Sequence, residues 1–232
     1  MASTAISAPS TRWRRRKDAR PGEIVAAALD CFAERGFAAT RLEDVAKRAG
    51  VTKGTLYLYF PNKEELFKAV VRQAVVPNIA FGEALVGESA EPAPVVLEQL
   101  IARLSVAMVA PASAIPKIVI AEAGNFPDIA RFYLDEVIHR GLGLFRRLLE
   151  LGVARGEFRP MDVDSTAYCI VAPIVLGMMW RHSFARHEER PLDAAALCRA
   201  HLRVLTHGLA PLHENGRAAA VEPRRRRKGG DR

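Results

Sequence analysis

The chain has 232 residues, half of them hydrophobic, which is enough for one large folded domain or two modest ones and excludes a wholly disordered protein. Aromatic residues make up only 7% while Ala, Leu, Val and Arg abound, a balance that suits an all-α fold and argues against many short strands. The net charge of +8 sits at the ends: Arg12–Arg20 carries six basic residues against Asp18, and Arg217–Arg232 carries seven against Glu222 and Asp231, leaving a body of about −2.

Residues 1–20, rich in Ser, Thr, Ala and Arg without periodicity, are expected to be a disordered basic arm. Ile24, Ala27, Ala28, Cys31 and Phe32 then fall on one helical face, predicting a first helix that ends near Gly36. Thr40-Arg41-Leu42-Glu43 reads as a capping box, with the Thr40 hydroxyl accepting the Glu43 amide, and starts a second helix that stops at the left-handed cap Gly50. Thr52 caps a third helix through Phe60. Two short helices joined by a tight Gly turn have helix-turn-helix spacing. Pro61 ends the third, and Asn62 with Glu65 caps a fourth running from Lys63 towards Val76 and Pro77.

Within the third helix, Leu56 and Phe60 lie at i and i+4 and are expected to face inward. Lys53, Gly54, Thr55 and Tyr57 then occupy its N-terminal end and exposed face, where amides and short polar groups approach base edges and phosphates.

A Gly/Pro/Glu-rich connection is expected from Gly82 to Pro94, followed by five longer helical stretches near residues 95–109, 113–123, 127–154, 163–186 and 192–208. The total is about nine helices. From Glu214 the chain is expected to be a second disordered basic tail.

The segment GFAATRLEDVAKRAGVTKGTLYLYFPNKEELF, Gly36 to Phe67, resembles the DNA-binding domain of the TetR family of repressors; the likeness extends over Gly22–Ala69, about a fifth of the chain. The Gly-Val-Thr-Lys-Gly-Thr-Leu-Tyr turn and helix, the Tyr-x-Tyr-Phe end and the Pro-Asn-Lys-Glu-Glu-Leu cap occur together and in order. The resemblance implies a helix-turn-helix unit over residues 21–67, joined by a fourth helix to a helical ligand-binding and dimerisation domain over 68–213, and a tail over 214–232. It places Thr40, Thr52, Thr55, Tyr57, Tyr59 and Lys63 at phosphate- or sugar-contacting positions, and Arg41, Lys53 and Gly54 at positions that reach bases. Two positions depart from the common pattern: Tyr59 stands where many relatives have His, and Leu58 where many have an aromatic residue.

In the C-terminal part Met108, Phe126, Phe132, Tyr133, Phe145, Met178, Met179 and Trp180 supply apolar bulk for a cavity between helices, and all but Met179 are taken as candidate ligand contacts. Arg131, His139 and Arg140 could meet an anion if they face inward, but their spacing favours a solvated face. Ala167, Ile170, Val171, Ile174, Val175, Met178 and Met179 form a broad apolar band, and Ala196, Leu197, Ala200, Leu202, Val204 and Leu205 enrich the next helix. The resemblance implies pairing of these two helices with their two-fold mates in a homodimer that binds a palindromic operator on double-stranded DNA. It also implies release by a largely apolar small-molecule effector.

Nothing calls for a cofactor or metal: Cys31, Cys169 and Cys198 lack ligand spacing and read as small core residues of a bacterial cytoplasmic protein. An enzyme is disfavoured by the absence of a phosphate loop, a zinc-protease motif or a nucleophile elbow. The apolar run Ala167–Trp180 is 14 residues and contains Pro173 and Gly177, so no membrane association is expected. A ligand-independent architectural DNA binder is the alternative reading.

Overall fold

The computed structural model describes residues 11–211, with side chains described from Pro21 onward. The expected tail from residue 214 and the first half of the expected arm therefore lie outside the described residues. The regular structure among the described residues is all helical: α1 Thr11–Ala39, α2 Leu42–Arg48, α3 Lys53–Tyr59, α4 Lys63–Ala74, α5 Val76–Glu88, α6 Ala93–Ala107, a 3-10 turn Pro111–Ala114, α7 Ile115–Glu122, α8 Pro127–Tyr133, a π segment Leu134–His139, α9 Arg140–Ala154, α10 Val163–Ser183, a 3-10 turn Ala185–His187 and α11 Ala194–Leu209. Two of these boundaries interrupt continuous helices. Lys63–Glu88 is one helix disturbed at Val75, and α8, the π segment and α9 follow one another directly, so the described residues hold nine helices as the apolar spacing predicted.

Three boundaries differ from expectation, each for a local reason. Helix α1 begins at Thr11 rather than near residue 21, because Arg, Lys and Ala are strong helix formers and extend it upstream. The expected Gly82–Pro94 connection is helical as far as Glu88, because Pro77 falls in the first turn of α5, where its missing amide has no helical partner to lose. Thr40 does not form the expected capping box. Its hydroxyl donates back to the carbonyls of Gly36 at 2.7 Å and Cys31 at 3.2 Å, and α2 is capped by the extended backbone of Arg41 without a side-chain bond.

The remaining caps follow the sequence. Gly36 and Gly50 hold φ of +80° and +65°, values that favour glycine, and the Gly50 and Val51 amides close α2 on the Lys47 and Ala46 carbonyls at 3.2 and 3.0 Å. Thr52 Oγ1 accepts the Thr55 amide at 3.1 Å, and Asn62 Oδ1 accepts the Glu65 amide at 2.8 Å.

Two cores form. One packs α1–α4 through Ile24, Phe32, Phe37, Leu56, Phe67 and Val71, and continues without a break into Ile115, Ile118, Ile129 and Tyr133 of α7 and α8. The other joins α5, α6, α9, α10 and α11 around Leu97, Ile101, Leu148, Ile170 and Cys198. Of the three cysteines, Cys169 is exposed, contrary to its expected place in the core, because it falls on the outward side of α10. By length and composition Lys63–Glu88 and Val163–Ser183 reach the size of a membrane span, the latter because α10 extends past the uncharged run to Asp164 and Arg181. Both are packed helices here, α10 against α7, α9 and α11, and Lys63–Glu88 against α1, α8 and α9.

Candidate DNA interface and effector cavity

Helix α3 stands on α2 and α1 through Leu56, which is fully buried, and leaves Thr52, Lys53, Gly54 and Tyr57 exposed on one side. Thr52 and Thr55 are tied by a 2.9 Å hydroxyl contact, so both oxygens are fixed at the helix start. Lys53 Nζ pairs with Glu43 at 2.5 Å and lies 5.8 Å from the centre of the Tyr57 ring; the carboxylate holds the ammonium above the ordinary lysine range. Arg41 is exposed at the head of α2. Tyr59 is half-buried and packs against the core below this face. Leu58, in contrast, is 84% exposed.

Gly54 is informative because nothing inside the protein requires it. A Cβ there would meet only Thr52 Oγ1, at 3.9 Å, and its φ lies outside the left-handed region. A glycine without an internal reason at a helix N-terminus fits the close approach of an external backbone or base edge.

Two of the residues expected on this face are turned inward. Thr40 is 1% exposed with its hydroxyl bonded internally, so it offers no side chain to a phosphate. Lys63 Nζ donates to the carbonyls of Phe37, Ala38 and Thr40 at 2.8, 3.0 and 3.2 Å and sits 4.5 Å above the Phe37 ring. Those three bonds use all of its protons. Lys63 thus closes the end of α1 with the first turn of α4, a role that motif spacing alone does not reveal.

A second set of contacts ties the same corner to the larger domain. The Ala38 amide donates to Glu122 Oε1 of α7 at 3.2 Å, and the Phe37 ring meets Phe126 edge-on at 4.8 Å. Phe37 also packs on Phe32 at 5.5 Å and Phe67 at 5.3 Å. Arg72 of α4 reaches Glu136 of the π segment at 3.5 Å.

Between α4–α5, α6, α8–α9 and α10 lies a cavity of about 390 Å3, walled largely by Leu, Ile, Val and Ala side chains. Of the residues expected to line such a cavity, Tyr133, Phe145 and Met178 do so. The other four do not. Met108 is buried against Cys198 Sγ at 3.6 Å, Phe126 is taken up by Phe37, Phe132 lies under the cations of Lys68 and Arg72, and Trp180 packs outside on Phe184. Arg131, His139 and Arg140 pair with Asp128, Asp135 and Glu83 and are not among the lining residues.

Tyr133 is 7% exposed, and among the described residues its hydroxyl has no hydrogen-bond partner; burial pushes its pKa up. At one wall Ser113 donates to the Ala110 carbonyl at 2.6 Å, so its oxygen is left to accept from His182 Nε2 at 2.8 Å. Burial, followed by the neighbouring Arg181 and Lys117, holds His182 below the usual histidine pKa.

The apolar band expected to pair between subunits faces the protein's own interior. Ala167, Ile170 and Ile174 are buried, while Val171, Val175 and Met178 line the cavity. The exposed apolar residues of α10 are instead Leu176, Trp180 and Tyr168, the last of which also lines the cavity, and those of α11 are Ala196, Ala200 and Val204, with Val204 70% exposed.

Two short helices set across a Gly-capped turn, with one exposed polar helix face, define a helix-turn-helix unit on an all-helical domain. Residues 24–70 match the family described as bacterial regulatory proteins of the tetR family, and residues 96–217, more than half of the chain, match the C-terminal domain of AefR-like transcriptional repressors. The transcriptional regulator RutR of Escherichia coli K12 is 48% identical over 69 residues, 28% of this chain, and the match spans only 32% of RutR. The transcriptional repressor KstR2 of Mycobacterium tuberculosis H37Rv is 31% identical over 151 residues, covering 63% of this chain and 74% of KstR2. The solved structure of that ketosteroid transcriptional regulator overlays with a TM-score of 0.62 at 26% identity, over 83% of this chain and 96% of KstR2. FadR of Bacillus subtilis, solved with stearoyl-CoA, shares the fold at a TM-score of 0.64 and 23% identity, over 81% and 98% of the two chains. The chain belongs to the TetR family of bacterial transcriptional regulators.

Proposed function

We propose that this protein is a dimeric, ligand-released repressor that reads a two-fold symmetric operator with α2 and α3 and senses an effector in the 390 Å3 cavity. The observation that carries the reading is the single core in which the DNA-facing helices and one wall of the cavity meet, through Phe37–Phe126 and Ala38–Glu122. Residues 21–67 act as the reading unit and 68–213 as the effector and dimer domain. On α3, Thr52, Thr55 and Tyr57 hold phosphates while Lys53, Gly54 and, from α2, Arg41 reach base edges. Tyr59 supports this face from beneath.

A dimer forms through the exposed stripe of Tyr168, Leu176, Trp180 and Val204, which places two copies of α3 on one face of the duplex, roughly one helical turn apart. An effector in the cavity releases DNA only if it binds the DNA-incompetent arrangement more tightly. Its wall residues Ala74 and Val75 belong to the helix that leaves the reading unit, and Pro116 and Tyr133 to the helices packed on α1 and α4, so a change in cavity shape bears directly on α1 and α4. The Tyr133 hydroxyl offers such a ligand a polar contact.

The test is Tyr57→Ala, examined for operator binding by fluorescence anisotropy and for mass by light scattering. The expected outcome is loss of specific binding by about 2 kcal/mol or more with the dimer intact. Parental affinity in the variant would remove α3 from the interface.

A further inference from the structure

Resting on the cavity's role as effector site, the charge along its wall narrows the effector's chemistry. Among the lining residues only Arg103 of α6 is charged. Its Nε donates to Asn78 Oδ1 at 3.2 Å and its guanidinium lies 4.7 Å from the centre of the Phe81 ring. Both neighbours are neutral. They orient the guanidinium and leave its charge uncompensated, and the Nη protons have no partner among the described residues. Arg35, Arg48, Arg72, Arg131, Arg140 and Arg146 each face a carboxylate. Other arginines also lack a carboxylate, but Arg103 is the one that lines the cavity, an oriented cation beside an apolar volume.

A guanidinium presents a fork of donors and no acceptor, a shape that a carboxylate matches with two bonds. A second cation would be repelled there, and a wholly apolar molecule would leave the charge partly desolvated and unanswered. Arg103 is itself exposed, which sets the head of the ligand at the mouth of the cavity. The walls beyond it, including Leu100, Leu104, Val137, Phe145 and Val171, are mostly hydrocarbon, with the neutral Tyr133 hydroxyl as a polar point among them.

We infer that the effector is an acidic amphiphile, its single anionic head seated on Arg103 and its apolar body filling the cavity.

The test is calorimetric titration of the full chain, without DNA, with decanoate and with 1-decanol below their aggregation limits. Decanoate is expected to bind about tenfold or more tighter than the alcohol, as a hydrogen-bonded charge requires, and to weaken as salt rises. Arg103→Gln should bring the two ligands within about twofold by weakening decanoate alone, and Arg103→Lys, which keeps the charge, should retain part of the preference. Ala107→Trp, which narrows the cavity, should weaken both. Equal affinities in the parent, absence of binding by both probes, or a preference that survives in Arg103→Gln with an unchanged melting temperature would each overturn the assignment. Because no operator is present, decanoate that binds as expected but does not release DNA would count against ligand release and leave the Arg103 site standing.

Discussion

Phe126 is the side chain whose removal tests most sharply how the reading unit is attached to the effector domain. It is half-buried, with its ring edge-on to Phe37 at 4.8 Å, and Phe37 is 1% exposed and packed on Phe32 and Phe67. The aromatic pair itself is worth about 0.5–1.5 kcal/mol. Half of a phenylalanine's burial adds about 1 kcal/mol, so Phe126→Ala should cost about 2 kcal/mol. In a chain of this length that lowers the melting temperature by roughly 4–8 °C. Phe126→Leu keeps most of the burial and should lose about 1 kcal/mol. Urea unfolding followed by circular dichroism gives the stability change. Hydrogen exchange adds a second readout, since operator binding should slow exchange in Ile115–Glu122 of the parent and do so much less in Phe126→Ala. A stability change below about 0.5 kcal/mol, or equal protection of α7 in both proteins, would refute the view that this corner joins the two parts.

Three further outcomes follow from the same geometry. Gly54→Ala should leave the melting temperature at or slightly above the parental value, since the added Cβ makes only an ordinary contact with Thr52 Oγ1 at 3.9 Å and alanine favours a helix, yet weaken operator binding by about tenfold where the DNA backbone would approach; anisotropy and calorimetry separate the two effects. Lys63→Met removes three bonds to carbonyls at the end of α1 and should cost about 1.5–3 kcal/mol of stability, while the slope of log affinity against log salt stays at the parental value because the ammonium faces no phosphate. His182 is held below its ordinary pKa of 6.5, so the unfolded chain binds a proton there first. Stability should therefore fall as pH drops below about 6.5 towards the folded-state value, and His182→Gln should flatten that part of a urea-denaturation pH profile.

Much of the fold was legible because the signals were local. Gly50 and Asn62 fix turns through their own backbone and side chains, and the spacing of Ile24, Cys31 and Phe32 fixes the buried face of α1 whatever packs on it. Most of the remaining differences arise from how the folded chain arranges its carbonyls, side chains and helix faces. Thr40 carries the right residue for a cap, yet the kink at Gly36 brings a free carbonyl nearer to its hydroxyl. Lys63 lies in a motif associated with DNA, but only the folded chain shows three carbonyls converging on its ammonium.

The α10 band reversed for a similar reason. Apolar residues surround that helix, so their distribution does not tell which side meets the protein's own interior; burial of Ile170 and exposure of Leu176 do. The cavity was legible in kind but not in detail. Bulky residues such as Met108 and Phe126 were taken up by Cys198 and Phe37, and Arg103, now its most informative member, carries no sequence signal beyond being one arginine among many.

A two-fold dimer that reads a specific sequence through α3 must select sites that carry its symmetry. Selection of random duplexes against the purified full chain at near-physiological salt, followed by sequencing, tests this most directly. The selected sites should share a two-fold symmetric motif whose half-sites lie roughly one helical turn apart, lost in Tyr57→Ala. Recovery of no motif, with binding that vanishes steeply as salt rises, would contradict it and assign the DNA affinity to non-specific charge.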